Sequence, residues 1–384
     1  MSFSIYIYSD PFPTLKGGLS AVEQLYGSKS YRGIRSDQKR DISRNSTNFL
    51  GLAVIRREPI DHDMIIDREL KIHIVFGSTH PPGRVFTYVK YVPIEDRRSL
   101  AIWRLMGVPL KRVVERYSVS HIERVLRSYQ SSSWDVVYGA EMPSIGYLDI
   151  WKHLLPEERG YEIYIRPRDP LESVASELID YVKRIAGISL RDIGVGGSLL
   201  GSFYSMGRSD IDIIIYGCAN ASKIYDKAEE IGKPLSGKDL ERWVDNIAKL
   251  HGVPLEVGKA MYSPYRRIIF RGVETTFIFP EDIRRYGEEL AINTGKCVEA
   301  RIEVPPQQCS SLQYPGRAYV DRILDAPSDV RGVDEVILFE GTYSPILYRG
   351  GVLRIGGLLQ IIMPGGKYRI AVGTRECRGY VIPA

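Results

Sequence analysis

No run of about 18 consecutive apolar residues occurs in this 384-residue chain, so a membrane-spanning helix is not expected. The start, Met1-Ser-Phe-Ser-Ile-Tyr-Ile-Tyr8, lacks a basic stretch followed by an apolar one, which argues against a secretory leader and for a cytoplasmic protein. Cysteine is scarce. The four present, Cys218, Cys297, Cys309 and Cys377, lie far apart and form no CxxC pair, so neither a zinc ribbon nor a thiol redox motif is expected. The six histidines form no HxH or HxxxH pair, which removes the usual histidine-based metal motifs. Low-complexity tracts and internal repeats are absent as well. What remains is a globular chain, 44% hydrophobic and 26% charged. At roughly 100–200 residues per domain it divides into two or three domains.

The net charge of +5 is modest and unevenly spread. Lys and Arg outnumber Asp and Glu by 15 to 11 over residues 1–100 and by 11 to 9 over 291–384, whereas 101–164 balances at 8 to 8 and 165–290 stands at 18 to 19. Between Arg32 and Arg57 seven basic residues face only Asp37 and Asp41 as acids, a patch suited to phosphate or to plain solvation.

Alternation of β-branched and aromatic residues predicts strands at Ser4–Tyr8, Leu70–Phe76 and Val85–Val92, and hence a β-rich N-terminal domain over 1–98. From Ser99 to His153 the spacing of Ile102, Leu105, Val113, Val114, Ile122, Val125 and Leu126 predicts a helical connecting region, 99–164. Asp169-Pro170-Leu171-Glu172 has the form of a capping box with proline at the first helical position, and opens an amphipathic helix running to about Gly187. Helices near Ala221–Glu230 and Ser236–His251 and a strand pair around Gly272 complete a central domain, 165–288. Over 289–384, short strands broken by Gly and Pro predict a small C-terminal barrel. The overall class is α+β. Arginines and tyrosines interleave in that last segment (Tyr343, Tyr348, Arg349, Arg354, Tyr368, Arg369), as on a nucleic-acid-binding barrel or simply in tyrosine-rich strands.

The informative stretch is Gly196-Gly-Ser-Leu-Leu-Gly-Ser-Phe-Tyr-Ser-Met-Gly-Arg-Ser-Asp-Ile-Asp212, running into Ile213-Ile-Ile215. Residues two apart in a strand share a face, so Asp210 and Asp212 present paired carboxylates. Two carboxylates this close repel unless a cation lies between them, and hard divalent ions with oxygen ligands are the natural partner. Gly197 permits a tight turn, and Ser198 offers a hydroxyl and an amide to phosphate oxygens.

A Gly-Ser pair followed by eleven residues and Asp-x-Asp at the head of an apolar strand resembles the signature of the polymerase-beta-like nucleotidyltransferases. The wider chain resembles an archaeal group of predicted nucleotidyltransferases with flanking domains, on Thr79-His-Pro-Pro-Gly through Pro93, Asp169-Pro-Leu-Glu, Phe270-Arg-Gly and Phe339-Glu-Gly-Thr-Tyr. The resemblance implies a central mixed sheet with helices on one face, and an OB-like C-terminal barrel. It also implies two magnesium ions on Asp210 and Asp212, an NTP triphosphate held by Gly197 and Ser198 with help from Arg208, and transfer of a nucleoside monophosphate to an acceptor hydroxyl. RNA is the expected acceptor, ahead of a protein; a catalytically weak protein that binds nucleotide or RNA is the alternative. In one respect the chain departs from the pattern. Thr276 stands where the third carboxylate belongs, leaving Glu274, two residues earlier on the same strand, as the expected substitute, with Asp282 and Glu256 behind it. His62 and His80 are expected to be surface and locally bonded loop residues respectively.

Overall fold

Three sheets follow one another along the chain. The computed structural model describes residues 55–384 except 97, 98, 100, 116, 117, 206 and 331. The expected strand at Ser4–Tyr8 and most of the basic patch from Arg32 lie outside the described residues. Those described belong to one compact unit, Leu52–Ala384.

The first sheet holds β1 (Met64–Asp67), β2 (Ile72–Val75), β3 (Arg84–Pro93), β4 (Trp103–Leu105), β5 (Val108–Arg112), β6 (Ser132–Asp135), β7 (Ala140–Gly146) and β8 (Ile150–Leu154). Its order is β4-β5-β3-β2-β1-β8, with β7 joining β3 and β6 joining β7. This corrects the helical reading of 99–164. Among the described residues there, only α1 (Val119–Leu126) and α2 (Pro156–Ile165) are α-helical, and five strands extend the first sheet. The misleading feature was Leu105 followed by Val113 and Val114. Met106 (φ 49°) and Gly107 (φ 82°) both take left-handed backbone, the geometry of a tight hairpin turn, and fold that stretch into β4 and β5.

The expected capping box is present. α3 (Pro170–Ala186) begins where the Asp169 carboxylate accepts a hydrogen bond from the Glu172 amide at 2.9 Å, and it ends at Gly187 in left-handed conformation. Leu171, Ala175, Leu178, Ile179 and Val182 form its buried face against the second sheet. That sheet comprises β9 (Ile193–Val195), β10 (Ile211–Ile215), β11 (Lys233–Pro234), β12 (Ile268–Phe270) and β13 (Val273–Ile278), in the order β11-β12-β13-β10-β9. Only the β10–β13 pair is parallel. Between β9 and β10 lies the single turn α4 (Gly197–Leu200); beyond β10 come α5 (Cys218–Ile231), α6 (Gly237–His251) and α7 (Leu255–Ala260).

The third sheet contains β14 (Leu290–Val304), β15 (Gly316–Tyr319), β16 (Arg322–Asp325), β17 (Val333–Leu338), β18 (Gly351–Met363), β19 (Lys367–Val372) and β20 (Tyr380–Pro383), with α8 (Ser344–Arg349) between β17 and β18. Its order, β15-β17-β19-β18-β14-β16, leaves β15 and β16 at opposite ends, unpaired with each other, so the described strands form an open sheet and not a closed barrel. Tyr343, Tyr348 and Arg369 are interior, not the stacking surface their spacing allowed.

The sheets share cores instead of meeting through linkers. Leu200 and Phe203, from the loop before β10, join the core of the first sheet, where Phe203 meets Tyr91 edge to face. Val257 and Met261 join that of the third. All four cysteines are bonded: Cys218–Cys309 fastens the start of α5 to the third-sheet region, and Cys297–Cys377 fastens β14 to the loop before β20. Among the described residues no helix is long and apolar enough to cross a membrane.

Candidate active site

β10 turns Ile211, Ile213 and Ile215 to the core, while Asp212 lies on the opposite face. It opens on a cavity of about 780 Å³, walled by side chains of the first and second sheets and by the loops that connect the strands of the third. Five of the six residues expected at the site line it: Gly197, Ser198, Arg208, Asp210 and Asp212. The turn carrying Gly197 is locked to β10, because the Gly196 amide donates to the Asp212 carbonyl at 2.8 Å. Gly197 has φ 59°, and a β-carbon there would sit 2.2 Å from Asp212 Oδ2. Glycine is therefore required twice, for the backbone angle and for the room the carboxylate fills.

The two aspartates are electrostatically coupled. Burial pushes the Asp212 carboxyl up to about 6, and Asp210 adds to the shift, against the opposing pull of Lys90, His62 and Arg267. The two carboxylates repel each other, and Asp210 stays partly open to solvent while Arg267 lies beside it.

The third position is as the sequence implied. In the parallel ladder Asp212 is paired with Thr276, and Ile211 with Thr275. Thr276 also lines the cavity, so a hydroxyl stands beside Asp212 where the resemblance asks for a carboxylate. Glu274, one step earlier on the same face, does not line it. Its carboxylate is held by Arg267, whose Nη1 also lies 3.6 Å from Asp210 Oδ2. Glu274 and Asp210 thus share one guanidinium. Among the described residues no three His, Cys, Asp or Glu side chains converge as a metal-holding group. Asp282 is exposed and Glu256 sits at the start of α7, and neither lines the cavity.

The Asp61-His62-Asp63 triplet, expected at the surface, is largely interior. Asp63 is fully buried, accepting two hydrogen bonds from Arg57, at 2.7 and 2.8 Å, and one from His153 at 2.9 Å. Arg57 is also bonded twice to Glu157, so this part of the basic patch is a buried joint between the first sheet and α2. Asp61 is fully buried too, while half-buried His62 lines the cavity. No spacing pattern marks His62; its only sequence signal is the acid on either side. His80 behaves as expected of a locally satisfied ring, with Nε2 bonded to the Pro59 carbonyl, Nδ1 accepting from the Phe86 amide, and burial driving its pKa down to about 4. Glu340, within the Phe339-Glu-Gly-Thr-Tyr segment, was missed as a cavity residue. It accepts from the Val119 amide at 2.8 Å, and burial raises it to about 7.

No family model, curated protein or solved structure matches the chain.

Proposed function

We propose that this protein is a magnesium-dependent nucleotidyltransferase of the polymerase-beta-like kind, moving a nucleoside monophosphate from an NTP to an acceptor hydroxyl and releasing pyrophosphate. In this reading residues 165–288 are the catalytic domain, flanked by β-rich domains that present the acceptor, RNA in preference to a protein hydroxyl. One observation carries the reading: two mutually repelling carboxylates, Asp210 and Asp212, open on a cavity directly against a Gly-Ser turn whose glycine cannot be replaced without displacing Asp212. That donor set, hard oxygens with a surplus of negative charge, suits magnesium. Bound there, magnesium would neutralise charge on the transferring phosphoryl group and its attacking and leaving oxygens. Ser198 and Arg208, which line the same cavity, would hold the triphosphate.

A second reading is favoured by a separate observation. Thr276 and the engagement of Glu274 by Arg267 leave the site one carboxylate short, as in a fold kept to bind nucleotide or RNA without turnover. Incubation with each α-³²P-labelled NTP, magnesium chloride and total RNA decides between them. Label transfer to RNA or protein, lost in Asp210→Asn and Asp212→Asn, supports the transferase. Nucleotide binding without transfer under magnesium or manganese refutes it and leaves the binding module.

A further inference from the structure

The Asp61–His62 pair supplies what the second sheet lacks. His62 lies in the turn before β1, with φ 67°, a left-handed backbone that histidine tolerates better than most residues with a side chain. Its Nδ1 is 2.6 Å from Asp61 Oδ2. Asp61 is itself fixed, since its Oδ1 accepts the Gly77 amide at 3.0 Å and its own amide donates to Ser78 Oγ at 3.3 Å. In the tautomer that donates Nδ1–H to Asp61, Nε2 carries no proton. Nε2 is then the ring atom left to take a proton. The cavity that His62 lines is the one containing Asp210, Asp212 and Ser198, and His62 and Asp212 each feel the other's charge.

We propose that His62, oriented by Asp61, is the proton acceptor for the attacking hydroxyl, in place of the carboxylate that Thr276 does not provide. The inference rests on the transferase reading. As the acceptor oxygen forms its bond to the α-phosphorus, its proton passes to His62 Nε2. The bond between the α-phosphorus and the bridging oxygen breaks with its electron pair leaving on pyrophosphate, and the imidazolium returns the proton to solvent after product departs. Three charged groups bear on the ring besides burial: Asp61 and Asp212 favour the protonated form, and Lys90 opposes it. Geometry assigns the role here, because the histidine lines the same cavity as the carboxylate pair and its ring is held by Asp61.

The test uses the full chain with the four α-³²P-labelled NTPs, magnesium chloride and total RNA. His62→Asn and His62→Gly are the informative variants, since both residues tolerate the left-handed backbone at this turn. Expected is a fall in kcat of about 10²–10⁴-fold with KM for NTP within about twofold, and partial recovery of the glycine variant by added imidazole. Asp61→Asn, checked for folding by its thermal transition, is expected to lower kcat by a smaller factor. Transfer by the unaltered protein that persists within about threefold in His62→Asn overturns this inference and leaves the transferase reading standing. Loss of kcat without imidazole recovery, accompanied by a matching rise in KM, assigns His62 to binding and also overturns it. No transfer by the unaltered protein overturns both readings together.

Discussion

Replacing Asp212 by Asn is expected to abolish function and stabilise the fold, and the size of the second effect follows from the site. Burial and Asp210 raise the Asp212 carboxyl from 3.8 to about 6. At about 1.4 kcal/mol per unit, ionising it in the folded chain costs roughly 3 kcal/mol more than in the unfolded chain. Because the folded state holds the proton more tightly, this cost is absent below pH ~4, grows as pH rises through about 6, and is complete by pH ~8. The asparagine side chain never ionises and keeps the shape that fits against Gly197. Asp212 borders a cavity, so solvent screening reduces the expected gain to about 1–3 kcal/mol. With an unfolding entropy of about 2.1 cal/mol/K per residue, that is about 1–4 °C in Tm for a chain this long. Denaturant unfolding of both proteins at pH 4, 6 and 8 without metal measures it. The expected gap opens between pH 4 and 8 in favour of Asp212→Asn, and magnesium chloride at pH 8 closes it by stabilising only the native sequence. A variant no more stable at pH 8, or a gap unchanged across the range, refutes a strained, cation-seeking carboxylate pair.

Gly197→Ala is expected to lower thermal stability by about 1–2 kcal/mol from the left-handed backbone alone, and to abolish nucleotide transfer because the methyl occupies the space of Asp212 Oδ2; a normally active variant contradicts the packing. Glu274→Gln is expected to leave nucleotide transfer within about threefold, since Glu274 is held by Arg267 and does not line the cavity; a loss comparable to that of Asp212→Asn restores it as the third acid. Opening Cys218–Cys309, which spans 91 residues, by the double serine variant is expected to cost up to about 4–5 kcal/mol on the chain-entropy account; an unchanged unfolding midpoint shows the bond is not formed in solution. Glu172 is held at about 2, since burial pushes it up but Arg168, Tyr204 and Arg159 pull it down further. Glu172→Gln is expected to destabilise by about 3 kcal/mol near pH 7, and the difference from native should shrink as pH falls below 4 toward 2; a constant difference over that range argues against an ionised Glu172.

The parts of the fold that sequence conveyed were those governed by local physics. Asp169, Pro170 and Glu172 fix the start of α3 through hydrogen bonds within four residues, and Gly187 fixes its end. The isoleucines of β10 follow from alternation about Asp212. What escaped was settled by partners far along the chain. Leu105 to Val114 carries an apolar spacing compatible with a helix, and the hairpin of β4 with β5 together with pairing of β5 to Tyr91, Val92 and Pro93 makes it strand. Cys218 and Cys309 gave no local pattern because their bond depends on α5 meeting the third sheet. For Tyr343, Tyr348 and Arg369 the sequence left a stacking surface and a structural role both open, since periodicity does not say which side of a sheet another element will cover.

The same division explains the site. Gly197, Ser198, Asp210 and Asp212 belong to one turn and one strand, so their mutual placement is encoded within sixteen residues of sequence. Their complement is not. Thr276 reaches Asp212 across a parallel ladder, Arg267 reaches Asp210 from beside β12, and His62 reaches the cavity from another sheet altogether. A missing carboxylate on β13 is visible in the sequence, but what shares the cavity with Thr276 is fixed by the packing of Phe203 and Leu200 onto the first sheet. Asp61 and His62, from the turn before the first sheet, line the same cavity as the carboxylate pair. Loss of the third acid therefore does not by itself imply loss of a proton acceptor, because the chemistry needs a basic atom within reach of the hydroxyl and is indifferent to which sheet delivers it.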